Sequence, residues 1–279
     1  MIIDCHTHIF PQDVLQNRFR YCQKDRAFRE IYNNEEARMI GPDSLVVEMD
    51  AAGVDMAVIC GFSWQSHDLC VMGNDAILEA VQRFRGRLIG FGCVYPEEPD
   101  RAMEEIKRCA GEGLCGVGEL AYYTHRMTRR DIAMMEPICG TIRTLGIPLL
   151  LHVNETVGHL YPGKGATDLR EIYRFVSSFP DMTFILAHWG GGLIFYEMMP
   201  SVARATARVY YDTAASPFLY RKDVYRIAHE IVGPDRILFG SDYPLIPQER
   251  CIKEIEGTGL SQAAVDKVLG ENAKHLLAV

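Results

Sequence analysis

Short, nearly unbroken apolar runs alternate along the chain with longer stretches in which apolar residues recur every three or four positions. The runs are Ile2–Ile3, Asp55–Cys60, Leu88–Val94, Gly116–Leu120, Ile147–His152, Thr183–His188, Val209–Asp212 and Ile237–Asp242. Strands that are apolar on both faces belong in a parallel sheet covered on both sides. The pattern therefore predicts eight such strands. Between them, 100–110 carries Met103 and Ile106, 131–145 carries Ile132, Met135, Ile138 and Ile142, and 168–179 carries Leu169, Ile172 and Val176. That spacing predicts helices. Asp100, Asp131 and Asp168 stand where a side-chain oxygen can cap a first turn, and Gly53, Gly113 and Gly146 where a helix should stop. Strands alternating with helices over 279 residues predict an α/β fold, with a (β/α)8 TIM barrel as its natural closure. An open doubly wound sheet is the alternative, but no Gly-x-Gly-x-x-Gly follows a strand.

No composition break divides the chain, so 1–279 reads as one domain. The polar, highly charged segment 12–39 stands apart, with Phe19, Phe28 and Tyr32 scattered through it. It follows the first strand, on the side where barrels place their active residues. It is either a solvated insertion with a short helix or a lid over the site. The stretch Ser261–Leu277 reads as helices packed outside the barrel.

Composition narrows the function. A net charge of -8 with no Lys/Arg-rich run argues against a nucleic-acid or anionic-membrane binder. The 9 cysteines form no Cys-x-x-Cys pair, and several sit in apolar runs, which suits a reducing compartment. With no signal-peptide pattern and no run long enough to span a bilayer, the expected location is the cytoplasm. The expected partner is a small-molecule substrate, and self-association stays open.

The chemistry stands at the strand ends. Strand one ends in His6 and His8, strand four in Glu119, strand five in His152, strand six in His188 and strand eight in Asp242. His6 and His8 share a strand face by parity, and Asp4 points with them, inside the barrel below the site. In a barrel these ends converge on one pocket. Imidazole and carboxylate donors suit Zn2+ first, and Mn2+, Fe2+ or Co2+ would accept the same set. Such a cation lowers the pKa of the water it holds toward about 7. A neighbouring carboxylate can then carry the proton, a task that fits Asp242, while His188 is either a ligand or a group that polarises the substrate. Tyr122, Arg126, Glu155 and Trp189 follow strand ends and are expected to line the mouth; Arg126 or Lys164 could hold a substrate carboxylate.

Asp4-x-His6-x-His8, His152, "ILAHWGG" around His188 and "ILFGSDYP" around Asp242 resemble the amidohydrolase superfamily. The branch they resemble includes aminocarboxymuconate-semialdehyde decarboxylase, and the ending "GENAKHLLAV" is similar to that branch as well. The resemblance runs from the first strand to the last helix. It implies a distorted barrel in which His6, His8, His152 and Asp242 bind metal and His188 is catalytic or binds a second ion. "GVGEL" is similar to the strand-four Gly-x-Gly-Glu of TatD-like hydrolases, in which the glutamate bridges two metals, so Glu119 is a ligand or a pocket acid. One or two ions are therefore expected. No lysine ends strand four, which argues against a carbamylated-lysine site. The expected activity is a metal-dependent hydrolase of a small-molecule amide, lactone or related carbonyl bond. The alternative is a metal-dependent lyase, a decarboxylase or hydratase, acting on a small unsaturated carboxylic acid.

Overall fold

The structure, a computed structural model, describes residues 1–279. Eight parallel strands follow one another in chain order: β1 (Ile3–His8), β2 (Met56–Cys60), β3 (Leu88–Gly92), β4 (Gly116–Leu120), β5 (Leu149–Leu151), β6 (Phe184–Leu186), β7 (Val209–Asp212) and β8 (Ile237–Leu238). Backbone hydrogen bonds draw β1 and the β8 segment together: Cys5 N–H to Phe239 O at 2.7 Å, His8 N–H to Tyr243 O at 2.8 Å and Asp242 N–H to His6 O at 2.9 Å. The result is a nearly closed (β/α)8 barrel.

The strands alternate as their pleat requires. Val58, Cys60, Ile89, Phe91, Leu150, Ile185 and Leu238 fill the interior. Ala57, Ile59, Leu88, Leu149, Leu151, Phe184, Tyr211 and Ile237 face the surrounding helices in the larger core. β1 breaks this rhythm. Its register against β2 shifts between Asp4 and Thr7, and such an irregularity re-aims side chains. Asp4 therefore does not sit inside the barrel with His6, as simple parity predicts. It lies on the helix side, where it accepts from Gln248 Nε2 at 2.7 Å and from the Ser241 hydroxyl and backbone N–H. Burial pushes its carboxyl up to about 6 against those hydrogen bonds.

The predicted helices form at Pro99–Gly111, Arg129–Leu145 and Leu169–Ser178. Asp168 caps its helix as expected. Asp131 instead closes a capping box on Thr128, and Asp100 sits in a first turn that Glu98 precedes. Gly53 and Gly146 end their helices in the left-handed conformation.

The segment 12–39 forms three short helices, Gln12–Gln16, Arg18–Lys24 and Arg26–Tyr32. Its aromatics are not scattered in space. Phe28 stacks on Trp64 at 4.8 Å and joins Phe10, Tyr21 and Phe62 in a small core above the barrel rim. Phe19 stays exposed. At the opposite end, the C-terminal helix Asn272–Leu277 packs outside the strands, against the barrel's base. Ala273, Leu276 and Leu277 pack on the interior cluster, so this helix plugs the barrel's base. No helix is long and apolar enough to cross a membrane.

Candidate metal centre

The donors that end β1, β4, β5, β6 and β8 meet at one point. His6 Nε2 lies 3.1 Å from His8 Nε2 and 3.6 Å from Glu119 Oε1. Asp242 Oδ1 is 3.3 Å from His8 Nε2 and 3.8 Å from His6 Nε2. On the other side, Glu119 Oε1 is 2.9 Å from His152 Nδ1 and 3.7 Å from His188 Nε2. His6, His8 and Glu119 form one compact set of ligand atoms, and Glu119, His152 and His188 form a second that shares the carboxylate.

The donor set fits a divalent cation. Two ligand nitrogens each about 2.0–2.1 Å from one ion, at an angle of about 100°, stand about 3.1 Å apart. That is the spacing of the two inward-facing Nε2 atoms. His152 Nε2 is buried without a hydrogen-bond partner, which is costly unless something fills the place. Glu119 and Asp242 pair only with imidazoles, not with a lysine or arginine.

Protonation suits ligation at the two carboxylates and at His188, whereas at His6 and His152 burial is overcome by the charge of Glu119, which favours a proton that a bound cation would displace. Burial alone would raise Glu119, but His152 and His6 overcome it and hold the carboxyl well below its ordinary range. Burial likewise opposes ionisation of Asp242, and the hydrogen bond from His8 with the charges of His6 and His188 reverses it. Burial, and then the charge of His152, lowers His188, which stays neutral. His188 Nδ1 stands 3.0 Å from the Ala214 carbonyl. A carbonyl only accepts, so Nδ1 carries the proton and Nε2 offers its lone pair to the centre.

Asp212, at the end of β7, is the residue sequence reading missed. Its Oδ2 takes His6 Nδ1–H at 2.8 Å, and its Oδ1 takes the backbone N–H groups of His188 and Ala214 at 2.8 and 3.0 Å. One fully buried carboxylate thus orients two candidate ligands. The signal was present: a carboxylate ends an apolar strand in the run Val209–Asp212.

The "HWGGG" stretch has a backbone explanation. Residues 188–192 all have positive φ, between 56° and 92°. A Cβ at Gly191 would lie 2.5 Å from the Asn154 carbonyl oxygen, and one at Gly190 would lie 2.8 Å from the Tyr211 ring. Glycine permits this tight left-handed turn. The turn aims His188 inward and sends Trp189 out into the helix layer.

A cavity of about 660 Å³ opens over the centre, with His8, Glu119, His152, His188 and Asp242 in its lining. Tyr32, Phe62, Tyr123, Tyr161 and Phe218 supply aromatic walls, and Arg38 is the one lysine or arginine among the lining residues. The residues expected at the mouth behave differently. Trp189 is fully buried and donates to Ser216 Oγ at 2.6 Å. Tyr122 turns away, its hydroxyl buried and unpaired, and Tyr123 lines the cavity instead. Arg126 is exposed and donates to the Ala166 carbonyl. Glu155 accepts from Tyr161 and Lys164, and Lys164 also holds the carbonyls of Val157 and His159, so this pair staples its own loop.

A profile of the family described as amidohydrolase matches residues 3–279. Gamma-resorcylate decarboxylase from Polaromonas sp. is 23% identical, with 85% of this chain and 83% of the relative covered. The 2-amino-3-carboxymuconate-6-semialdehyde decarboxylase of Dictyostelium discoideum is 23% identical over 99% of this chain and 91% of the relative. Among solved structures, 5-carboxyvanillate decarboxylase from Novosphingobium aromaticivorans, complexed with manganese and 4-hydroxy-3-methoxy-5-nitrobenzoic acid, superposes with a TM-score of 0.81 at 16% identity, covering 100% of this chain and 96% of that one. Dihydroxybenzoic acid decarboxylase from Polaromonas sp., with bound manganese and the inhibitor 2-nitroresorcinol, gives 0.75 at 19% identity, covering 99% and 96%. These relatives overturn the expectation of a hydrolase and favour the lyase alternative. The physical reason for the error is plain. The same imidazole and carboxylate donors serve either reaction, so the ligand pattern does not encode which bond breaks.

Proposed function

The chain belongs to the amidohydrolase family, and from that premise we propose that it is a metal-dependent decarboxylase of a small aromatic or conjugated carboxylic acid. The observation that carries this reading is the cavity itself: a floor of metal-ligand type donors under walls of aromatic rings. Its volume of about 660 Å³ admits a substituted ring. The decarboxylase relatives support the reaction class.

His6, His8, His152 and Asp242 would hold the cation, with Glu119 shared between them and a second position beside His188. Manganese is the first choice and zinc the second, because this donor set accepts both and the similar structures contain manganese. A divalent cation there supplies positive charge beside the oxygens of an anionic substrate. Arg38 adds a cation at the cavity wall. Nine free thiols, eight of them buried, support a reducing, cytoplasmic setting.

Decarboxylation replaces C–CO2⁻ by C–H, so a proton must reach the vacated carbon. Asp242 is ionised and enters as a base. It takes the proton of a ring hydroxyl and returns it to the carboxylated carbon, and the C–C bond electrons stay with the ring as CO2 leaves. For a hydroxybenzoate the balance is HO–Ar–CO2⁻ to ⁻O–Ar–H plus CO2. His188, with its Nε2 lone pair facing the centre, would accept a hydrogen bond from a substrate hydroxyl or ligate a second ion. The test is a panel of hydroxybenzoates with manganese-loaded protein in deuterated water. CO2 release with one deuterium at the vacated ring position is expected. Intact substrates across the panel, or products that keep the carboxyl, would remove the reading.

Glu119 tests the number of ions. As a carboxylate shared by both donor sets, it should allow close to two metals per chain after gentle purification, and Glu119→Gln should leave about one. Elemental analysis reads this directly. A stoichiometry of one in both proteins assigns Glu119 to a single ion's surroundings.

A further inference from the structure

Two phenols in the cavity have no part in the steps above. Tyr32 ends the third short helix over the barrel rim, and Tyr123 follows β4; both line the cavity together with Glu119 and Asp242. Packing fixes both rings. Tyr32 meets Phe10 edge-on at 5.0 Å and Phe62 edge-on at 5.8 Å, and leans on Phe28 at 4.8 Å. Tyr123 lies parallel to Phe62 at 5.8 Å, with its ring 5.1 Å from that of His152. Other tyrosines near carboxylates use their hydroxyls: Tyr21 donates to Asp13, Tyr161 to Glu155 and Tyr211 to Glu197. The hydroxyls of Tyr32 and Tyr123 donate to nothing in the chain. A phenol keeps its proton at neutral pH, so each stays a donor.

Both phenols line the cavity, so their hydroxyls are free to donate to whatever acceptor occupies it, water in the free protein and a substrate oxygen in the complex. We propose that Tyr32 and Tyr123 form a donor pair for an oxygen substituent on the substrate's ring, and so select hydroxylated or oxo-substituted acids over unsubstituted ones. The inference rests on the decarboxylase reading for the kind of substrate. The departing carboxylate is the poorer target. Donors fixed on it would stabilise the ground state and oppose its loss, whereas donors on a ring oxygen bind more strongly as charge moves onto that oxygen. Tyr32 thereby gives the segment 12–39 a chemical task in addition to its place in the cavity wall.

Tyr32→Phe and Tyr123→Phe keep the ring contacts and remove only the donors. In manganese-loaded full-length protein, calorimetry should show affinity for 2-nitroresorcinol falling about 10- to 100-fold in each variant, with nitrobenzene binding changed less than about twofold. Metal content and thermal stability should match wild type. Unchanged affinity for 2-nitroresorcinol overturns the pair. An equal loss on both probes also overturns it, because the phenols would then only shape the slot. Wild-type protein that separates the two probes through these tyrosines but releases no CO2 from any hydroxybenzoate supports the pair and removes the decarboxylase reading.

Discussion

Asp242→Asn should slow CO2 release by about two to four powers of ten at matched metal content, the usual range for losing a general acid–base group. The fold should persist. Asp242 sits at φ 63°, a left-handed conformation that asparagine adopts as readily as aspartate. Its backbone N–H, bonded to the His6 carbonyl at 2.9 Å, is unaffected, and the barrel's packed interior lies below this position. What changes is basicity. An amide cannot take the ring hydroxyl's proton and cannot return it to carbon. One oxygen survives to face His8, so metal is retained better than in an alanine variant. The check is turnover of one hydroxybenzoate by both proteins, with elemental analysis on the same samples. A near-normal rate in the metal-loaded variant would move the proton transfer to His188.

Most of the barrel was legible because its signal is local and repeated. Runs such as Leu88–Gly92 and Val209–Asp212 are apolar on both faces, and only a covered parallel strand satisfies that. The donors were legible because barrels gather strand ends. The errors arose where backbone geometry departs from regular parity or where the answer depends on distant partners. Asp4 was misplaced because β1 shifts register between Asp4 and Thr7. Trp189 was misplaced because five successive left-handed residues turn it away from its neighbour His188. Tyr122 and Tyr123 differ only in which way a loop faces, and no periodicity governs that. Arg126 was a plausible anion clamp by sequence, but Arg38 lines the cavity from a segment more than eighty positions earlier in the chain. The small core that orders the segment 12–39 joins Phe28 to Trp64, a long-range contact invisible in either residue's neighbours. The reaction itself was misjudged because the metal donors are shared between hydrolases and decarboxylases, whereas the walls and the proton path distinguish them.

Asp212 extends control of the centre beyond its candidate ligands, and Asp212→Asn should lower metal affinity by about 10- to 100-fold, as loss of such an orienting partner does. One proton decides the effect. Asp212 Oδ2 accepts from His6 Nδ1 at 2.8 Å, so Nε2, toward His8, Glu119 and Asp242, is the nitrogen whose lone pair a cation would take. Asparagine can keep its oxygen where Oδ1 receives the N–H groups of His188 and Ala214. Its NH2 then faces His6 Nδ1 and can only donate, so the imidazole proton must move to Nε2. A protonated Nε2 cannot ligate. The opposite amide orientation would set NH2 against two backbone donors, which is worse. Asp212→Ala should also unfold more easily, since three buried N–H groups lose their acceptor at about 1–3 kcal/mol each. Competition against a chelating indicator measures the affinity, and urea denaturation of the metal-free proteins separates it from stability. Wild-type metal affinity in a folded Asp212→Asn protein would mean that His6 does not bind through Nε2, and the centre would have to be rebuilt around His8, Glu119, His152 and Asp242.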